Sequence, residues 1–587
     1  MVTTPHPNRF RFSARLLLGA IGILLLAIAS LLSSESLEMF LRGSASDALR
    51  WGPDLFRCLL GLHGVLLVVL AIPLIASCPP TAPADCGLFP GSLVDTNEGR
   101  VSTSLGWLGI GILCIIALAL RLWKLNSTLW FDEILTLVDF VHRPLGEIVS
   151  SFPWQNQHML YSVLARVSVL MFGDTAWALR LPAVFFGVAS IIPLYGLGRR
   201  LIGSRAAFIA CVLMVLSYHH VWFSQNARGY SGLLLFATAS TWFWIEALDN
   251  NRWHWWGAYI LAVVFGMYTH VTMFFVVLAH TLVYLTLLLI GSKATDATTP
   301  TSLRTMRGRH LVALVLSVTI TLLLYALALP DFLQSALHEK SRPSEWTNPM
   351  WLVVETVRGL QAGLVGGAAL LVGALLLAVG FIGLARRHWP AAVAMILPGP
   401  ILCFAMFALG HNLWPRFLFF SMAFAFVFVV HGTELIARIV ATPLATVMSA
   451  TRLSLVITSI VWAMMVAVSL LALPRCYAYP KQDFEGARDY VHERIQTHEI
   501  AVAVGQAGIA YHRYYAPTWP LIETTQQLEH VRDHSSAVWL VYTVHTHMRE
   551  YHRDLWNQIV SDFEVVRTFQ GTLNNGKVFV CRERRDS

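Results

Sequence analysis

The chain has 587 residues, of which 56% are hydrophobic and only 13% charged, and its mean hydropathy is +0.60. That composition excludes an ordinary soluble domain and specifies a membrane protein. A formal charge of +8 would suit a nucleic-acid partner, but the surplus lies largely in short loops between apolar runs and no basic tail accompanies it, which is the pattern of membrane orientation.

Between residues 14 and 474, apolar runs of about 17 to 25 residues recur, about eleven to thirteen in all, each able to cross a hydrocarbon core about 30 Å thick. The first follows Arg9, Arg11 and Arg15 without a small-residue cleavage site, so it reads as an uncleaved helix. With that N-terminus in the cytoplasm, spans near 14–33 and 57–77 return the chain inside and a span at 104–122 takes it out. Arg199, Arg200 and Arg205 then fall inside, as do Arg252, the group Lys293, Arg304, Arg307 and Arg309, the pair Arg386 and Arg387, and Arg438 with Arg452. Arg121 and Lys124 fall outside, where they either snorkel from a helix end or meet a ligand phosphate.

Three parts follow. Residues 1–100 are an N-terminal extension with two spans and a Pro- and Gly-containing cytoplasmic linker at 78–100; residues 101–474 are the transmembrane body, with a long first external loop at 123–175; residues 475–587 are an external domain. In that last part DFEGARDYVHERIQ and MREYHRDLWNQIV are helical, EIAVAVG and SSAVWLVYTV are buried strands, and FEVVRTFQGTLNNGKVFVCRER is a hairpin about Asn-Asn-Gly. GQAG after the first strand reads as a tight turn and not a nucleotide loop. The fold class is therefore an α-helical polytopic membrane protein with a small C-terminal extracytoplasmic α/β domain. Of the eight cysteines, Cys114, Cys211 and Cys403 sit in apolar runs, whereas Cys476 and Cys581 bracket the external domain and could form a disulfide there. No Cys or His spacing matches a structural zinc site.

The chemistry concentrates at outer helix ends. NSTLWFDEILTL, residues 126–137, sets Asp132 and Glu133 among apolar residues just after a span, where a carboxylate is costly without a task. Adjacent on a helix, the two point about 100° apart and should do different jobs, although helix N-terminal capping is the plainer reading. In SYHHVWFSQNARGYSG, Arg228 calls for an acidic partner, with Glu133 a candidate, and Gln225, Asn226 and Tyr230 offer hydrogen bonds to a polar ligand; a solvated turn is the alternative. His219 and His220 read as interface residues. His270 stands at another outer helix end, and GHNLWPRFLFF places His411, Asn412 and Trp414 beside Arg416, whose planar fork suits a phosphate or anchors the helix end. Trp346 and Trp351 suit an interfacial belt or a sugar-stacking surface. Carboxylates, arginines, amides and aromatics gathered on one face fit a ligand with a lipid tail, a phosphate and a polyhydroxylated head. Sugar transfer from such a donor needs a base for the acceptor proton and positive charge for the leaving phosphate.

Over roughly residues 104–500 the sequence resembles the polytopic GT-C glycosyltransferases, in particular the bacterial branch similar to protein O-mannosyltransferases and the lipid A aminoarabinose transferase. The resemblance is carried by LWFDEILT, RLPAVFFGVASIIPLYGLGRRL, SQNARGYS, YTHVTMFF, WPRFLFF and YPKQDFEGARDYV, in that order. It implies a GT-C-like body, an inner-membrane location, Asp132 as catalytic base, Glu133 as organiser of the site through Arg228, and Arg416 as ligand of the donor phosphate. Where many members carry His-Pro-Pro-Leu-Tyr, this chain has Gln157-His158-Met159-Leu160-Tyr161, keeping His158 and Tyr161 as substrate-binding candidates without the prolines. The expected partners are a polyprenyl-phosphate-linked sugar donor and membrane lipid, with no nucleic acid and no fixed cofactor beyond a possible divalent metal on Asp132 and Glu133. A flippase or transporter for lipid-linked sugars is the alternative; it would set polar residues at mid-bilayer in broken helices.

Overall fold

Long apolar helices make up most of the computed structural model, which describes residues 7–43, 51–72, 100–293, 301–338, 345–363, 367–445, 448–573 and 576–584. Among them, nine helices are long and apolar enough to cross a membrane, or eleven if each of two bent helix pairs counts as one span. The chain is thus a multi-span membrane protein. One bend has a local cause: the Ser217 side chain accepts the His220 amide and its backbone turns extended, so Ser204–Leu216 ends and Tyr218–Ser224 starts at an angle of 60°. The linker expected at 78–100 falls, up to residue 99, outside the described residues.

The chain divides into two compact units. The first comprises residues 1–92, 143–163 and 239–340. Helices Pro7–Leu31 and Trp51–Ala71 meet at Gly22 and Gly64, where a Cβ on either would stand 2.8–2.9 Å from the other's backbone oxygen. Small residues at this crossing allow the backbone approach that holds helices together in lipid. Helix Thr301–Tyr325 buries His310, Ala313, Ser317, Thr321 and Tyr325, one stripe at helical spacing. His280 is fully buried, bonds the Thr241 hydroxyl at 3.1 Å and stacks on Trp244 at 4.9 Å.

The second unit comprises residues 93–142, 164–238 and 341–587. Helices Gly367–Ile396 and Met422–Leu444 cross backbone to backbone at Gly380 and Gly432, whose added Cβ atoms would fall 1.8 and 2.0 Å from the facing carbonyl oxygens of Phe428 and Leu376. The same unit carries a five-stranded sheet, β1 (Glu499–Val504), β2 (Leu521–Ile522), β3 (Ala537–Thr543), β4 (Phe563–Phe569) and β5 (Val578–Glu583), in the order β2-β1-β3-β5-β4. β1 pairs parallel with β2 and β3, while β5 runs antiparallel to β3 and β4. Every β3 residue is buried, as a central strand covered on both faces requires.

Several expectations need correcting. GQAG is no isolated turn: Gly505, at φ 56°, opens helix Gly505–Ala510, with the chirality-free residue taking the left-handed position. MREYHRDLWNQIV is two helices, His545–Tyr551 and Arg553–Asp562, because His552 leaves helical angles. Asn574 and Asn575 of the hairpin turn lie outside the described residues. Cys476 and Cys581 are both free thiols: Cys581 lies in β5 opposite Leu540, and Cys476 packs with Tyr218, Val221 and Leu473.

Candidate active site

The acidic pair opens the short helix Phe131–Thr136, directly after Trp130. The two side chains part to different partners. Asp132 keeps a side-chain exposure of 11% and sets Oδ2 3.0 Å from Arg416 Nη1 and 3.8 Å from Arg228 Nη1. Glu133 has no exposure. Its Oε1 accepts from Arg180 Nε at 2.9 Å and the Ala227 amide at 2.8 Å, while Oε2 accepts from Arg180 Nη2 at 2.5 Å and the Trp130 amide at 3.4 Å. Lys481 Nζ stands 3.7 Å from Oε1. Burial pushes the Glu133 carboxyl up, but the Arg180 and Lys481 charges and these hydrogen bonds outweigh it and hold it below the ordinary carboxylate value. Burial likewise drives the Lys481 ammonium down, partly offset by Glu133, to about 8.

The surrounding elements fix these groups. Arg180, on helix Ala176–Ala189, also donates to the carbonyls of Leu125, Ser127 and Thr128, which staples the stretch before Trp130 to that helix. Trp130 Nε1 donates to Asn226 Oδ1 at 3.0 Å, and the Phe131 amide donates to Gln482 Oε1 at 3.1 Å. Tyr515 adds a bond from its hydroxyl to the Leu129 carbonyl at 2.9 Å. Residues entering and within the C-terminal domain therefore hold the acidic helix from one side.

Of the binding candidates, Arg228 lies over the Tyr230 ring at 5.7 Å, both nearly buried, and Arg416 lies over Trp414 at 4.7 Å. Gln225 is turned elsewhere: its amide nitrogen donates to the carbonyls of Arg121 and Trp123 at 2.9 and 2.7 Å, so it shapes the loop. Asn226 serves Trp130, as above. His411 is half-buried, its amide bonded to the Met406 carbonyl, and the ion-pair partners of Asp132 are Arg228 and Arg416. His158, Tyr161 and His270 belong to the other unit, in which His158 and His270 bring their rings within 4.7 Å and Tyr161 is fully buried.

Arg121 neither snorkels nor faces an open site. It is fully buried, donates to the carbonyls of Ala117 and Val215 and meets His220 Nδ1 at 2.5 Å, the interface role read for His220. Trp346 is buried too, with ring centroids 5.1 Å from Trp414 and 5.8 Å from Tyr551, so it belongs to a packed aromatic cluster. Arg180, Lys481 and Gln482 are the groups the sequence reading missed. Each stands inside a stretch already singled out, RLPAVFFG or YPKQDFEG, as a polar side chain without an evident solvent role.

The residues do not fit a divalent metal. Four cationic side chains, Arg180, Lys481, Arg228 and Arg416, already face the two carboxylates, and further positive charge would be repelled. The same excess welcomes an anion.

Residues 157–325 match the family described as dolichyl-phosphate-mannose-protein mannosyltransferase. That match spans less than a third of the chain. No curated protein matches it by sequence. Solved structures similar to it include the three that follow. ArnT from Cupriavidus metallidurans in the apo state is 13% identical, with a TM-score of 0.48, over 82% of this chain and 98% of that one. The apo oligosaccharyltransferase of Archaeoglobus fulgidus is 12% identical, with a TM-score of 0.47, over 78% and 72%. The arabinosyltransferase EmbB from Mycobacterium smegmatis is 12% identical, with a TM-score of 0.42, over 75% and 47%.

Proposed function

We propose that the chain is a membrane glycosyltransferase that moves a sugar from a polyprenyl-phosphate donor to an acceptor hydroxyl on the outer side of the inner membrane, with inversion. The observation that carries this reading is Asp132, a largely buried carboxylate held against two guanidinium groups at 3.0 and 3.8 Å. The partial match to dolichyl-phosphate-mannose-dependent transferases agrees with it.

In this mechanism Asp132 takes the proton of the acceptor hydroxyl, and the acceptor oxygen forms a bond to the anomeric carbon. The bond from that carbon to the phosphate oxygen breaks, and the lipid phosphate leaves with the electron pair. Arg416 and Arg228 hold the departing anion, which is where charge develops and where fixed donors lower the barrier most. Glu133 stays ionised and buried and serves by placing the helix that carries Asp132. No step needs a metal, a nucleotide or a hydride carrier.

The test is made in cells whose own copy is deleted and which carry either the intact chain or Asp132→Asn. Mass spectrometry of lipid extracts should show one polyprenyl-phosphate sugar accumulating in the variant and in the deletion, and disappearing with the intact chain. Equal lipid-linked sugar levels in all three, or a donor trapped on the cytoplasmic leaflet as a flippase defect would leave it, would overturn the reading.

A further inference from the structure

A cavity of about 180 Å³ opens between the end of helix Arg100–Leu122 and the segment after helix Ala450–Ala472. Lys124, Ser127, Trp222, Lys481 and Thr572 line it. At about 30 Å³ per liquid water, it has room for a group the size of a phosphate with part of its hydration.

No carboxylate lines it, and its two charged lining side chains are both ammoniums. Lys481 Nζ, on a side chain 8% exposed, spends one hydrogen on the Gln225 carbonyl at 2.6 Å and also faces Glu133 Oε1 at 3.7 Å, while Lys124 Nζ spends one on the Tyr477 carbonyl at 3.1 Å; each ammonium carries three. The Thr572 hydroxyl accepts from Trp222 Nε1 at 3.0 Å and the Ser127 hydroxyl accepts from Arg180 Nη1 at 3.1 Å, which leaves the hydrogen of each hydroxyl to donate. Lys124 stands at φ 54°, a left-handed turn conformation uncommon for a residue with a side chain. Beside it Leu122 and Trp123 are 45% and 63% exposed at the end of a span, so the mouth lies at the lipid boundary.

We infer that this cavity, which shares Lys481 with the acidic site, is a phosphate-binding site that takes a phosphomonoester or phosphodiester group on Lys124 and Lys481 with Ser127 and Thr572 as neutral donors. The phosphate belongs either to a lipid headgroup or to a free anion. Through Lys481, which also faces Glu133, its occupancy is felt at the acidic helix. The inference stands on the cavity alone and does not need the transferase reading.

The test uses the purified full chain in a phosphate-free, uncharged detergent and follows thermal unfolding against inorganic phosphate, short-chain phosphatidic acid and the matching diacylglycerol. Binding to the native state raises the melting temperature with the logarithm of ligand concentration over the dissociation constant. Phosphatidic acid acting at far lower concentration than inorganic phosphate, with diacylglycerol inert, assigns the lipid headgroup; equal action of the two phosphates assigns a free anion. Either way Lys124→Gln should weaken the dissociation constant by about tenfold and Lys124→Arg should largely restore it. Thr572→Val, which keeps both lysines, should weaken it less and serves should Lys124→Gln fail to fold. Stabilisation by neither phosphate, or stabilisation that both Lys124→Gln and Thr572→Val leave unchanged, would overturn the inference.

Discussion

Arg180 and Glu133 form a two-point ion pair, Nε to Oε1 at 2.9 Å and Nη2 to Oε2 at 2.5 Å, with side-chain exposures of 1% and 0%. A pair so buried has repaid its desolvation with geometry, and removing one partner leaves an uncompensated charge. Arg180→Met should therefore cost about 3–5 kcal/mol of stability, read as loss of folded protein in detergent. The double variant Arg180→Met with Glu133→Leu should recover much of that loss and none of the activity. Equal stability of the intact chain and Arg180→Met would show the pair to be idle.

Arg416 stands 3.0 Å from Asp132 and rests on Trp414, which aims its fork. Removing one preformed donor to a developing anion costs about 10²–10³ in kcat. Arg416→Gln should lose that much, Arg416→Lys should recover part because a point charge lacks the fork, and Trp414→Ala should lie between the intact chain and Arg416→Gln. Steady-state rates on a lipid-linked sugar check the order; a full-rate Arg416→Gln would remove the residue from phosphate stabilisation.

Protonation of Lys481 gives a prediction with a definite sign. Its folded value of about 8 lies below the ordinary lysine value of 10.5, so between about 8 and 10.5 the unfolded chain binds the extra proton. Stability should accordingly rise with pH across that window in the intact chain relative to Lys481→Met, and the difference should be flat below about pH 7. Glu133 acts on the acid side: its folded value is lowered, so its contribution is present above the unfolded value of 4.5 and is lost as pH falls through the folded one. Paired melting curves from pH 3 to 10.5 read both; a difference that falls between pH 8 and 10.5 would contradict the burial of a charged Lys481.

Gly380 and Gly432 permit a backbone-to-backbone helix crossing that no Cβ fits. Gly380→Ala should force the two helices apart and destabilise the chain by about 1–3 kcal/mol, as overpacking does. Ala at Gly111, where nothing lies within 4 Å, is the matched control and should be neutral. Melting temperatures in one detergent compare the two.

The membrane class and the α/β character of the C-terminal domain were legible because they rest on local patterns: apolar run length, and alternation of EIAVAV and AVWLVYT with amphipathic stretches. The acidic pair was legible because carboxylates among apolar residues are costly anywhere. Its partners were less so. Arg180 sits in an apolar helix that reads simply as a span, and Lys481 lies 348 positions beyond Glu133, so nothing local announces that three segments meet. Gln225 and Arg121 looked available for a ligand, yet backbone carbonyls from neighbouring helix ends claim both. Such bonds depend on tertiary approach and have no sequence period. The aromatic cluster of Trp346, Trp414 and Tyr551 also follows from docking of the C-terminal domain, which a hydropathy pattern does not report.

The most direct test of the central claim is transfer by purified Asp132→Asn in liposomes supplied with the donor identified from the accumulated lipid. The amide keeps the size of the side chain and removes its basicity and charge, so the account predicts a folded protein that still binds the donor and transfer reduced to background. Transfer at the rate of the intact chain, with the same product stereochemistry, would contradict it.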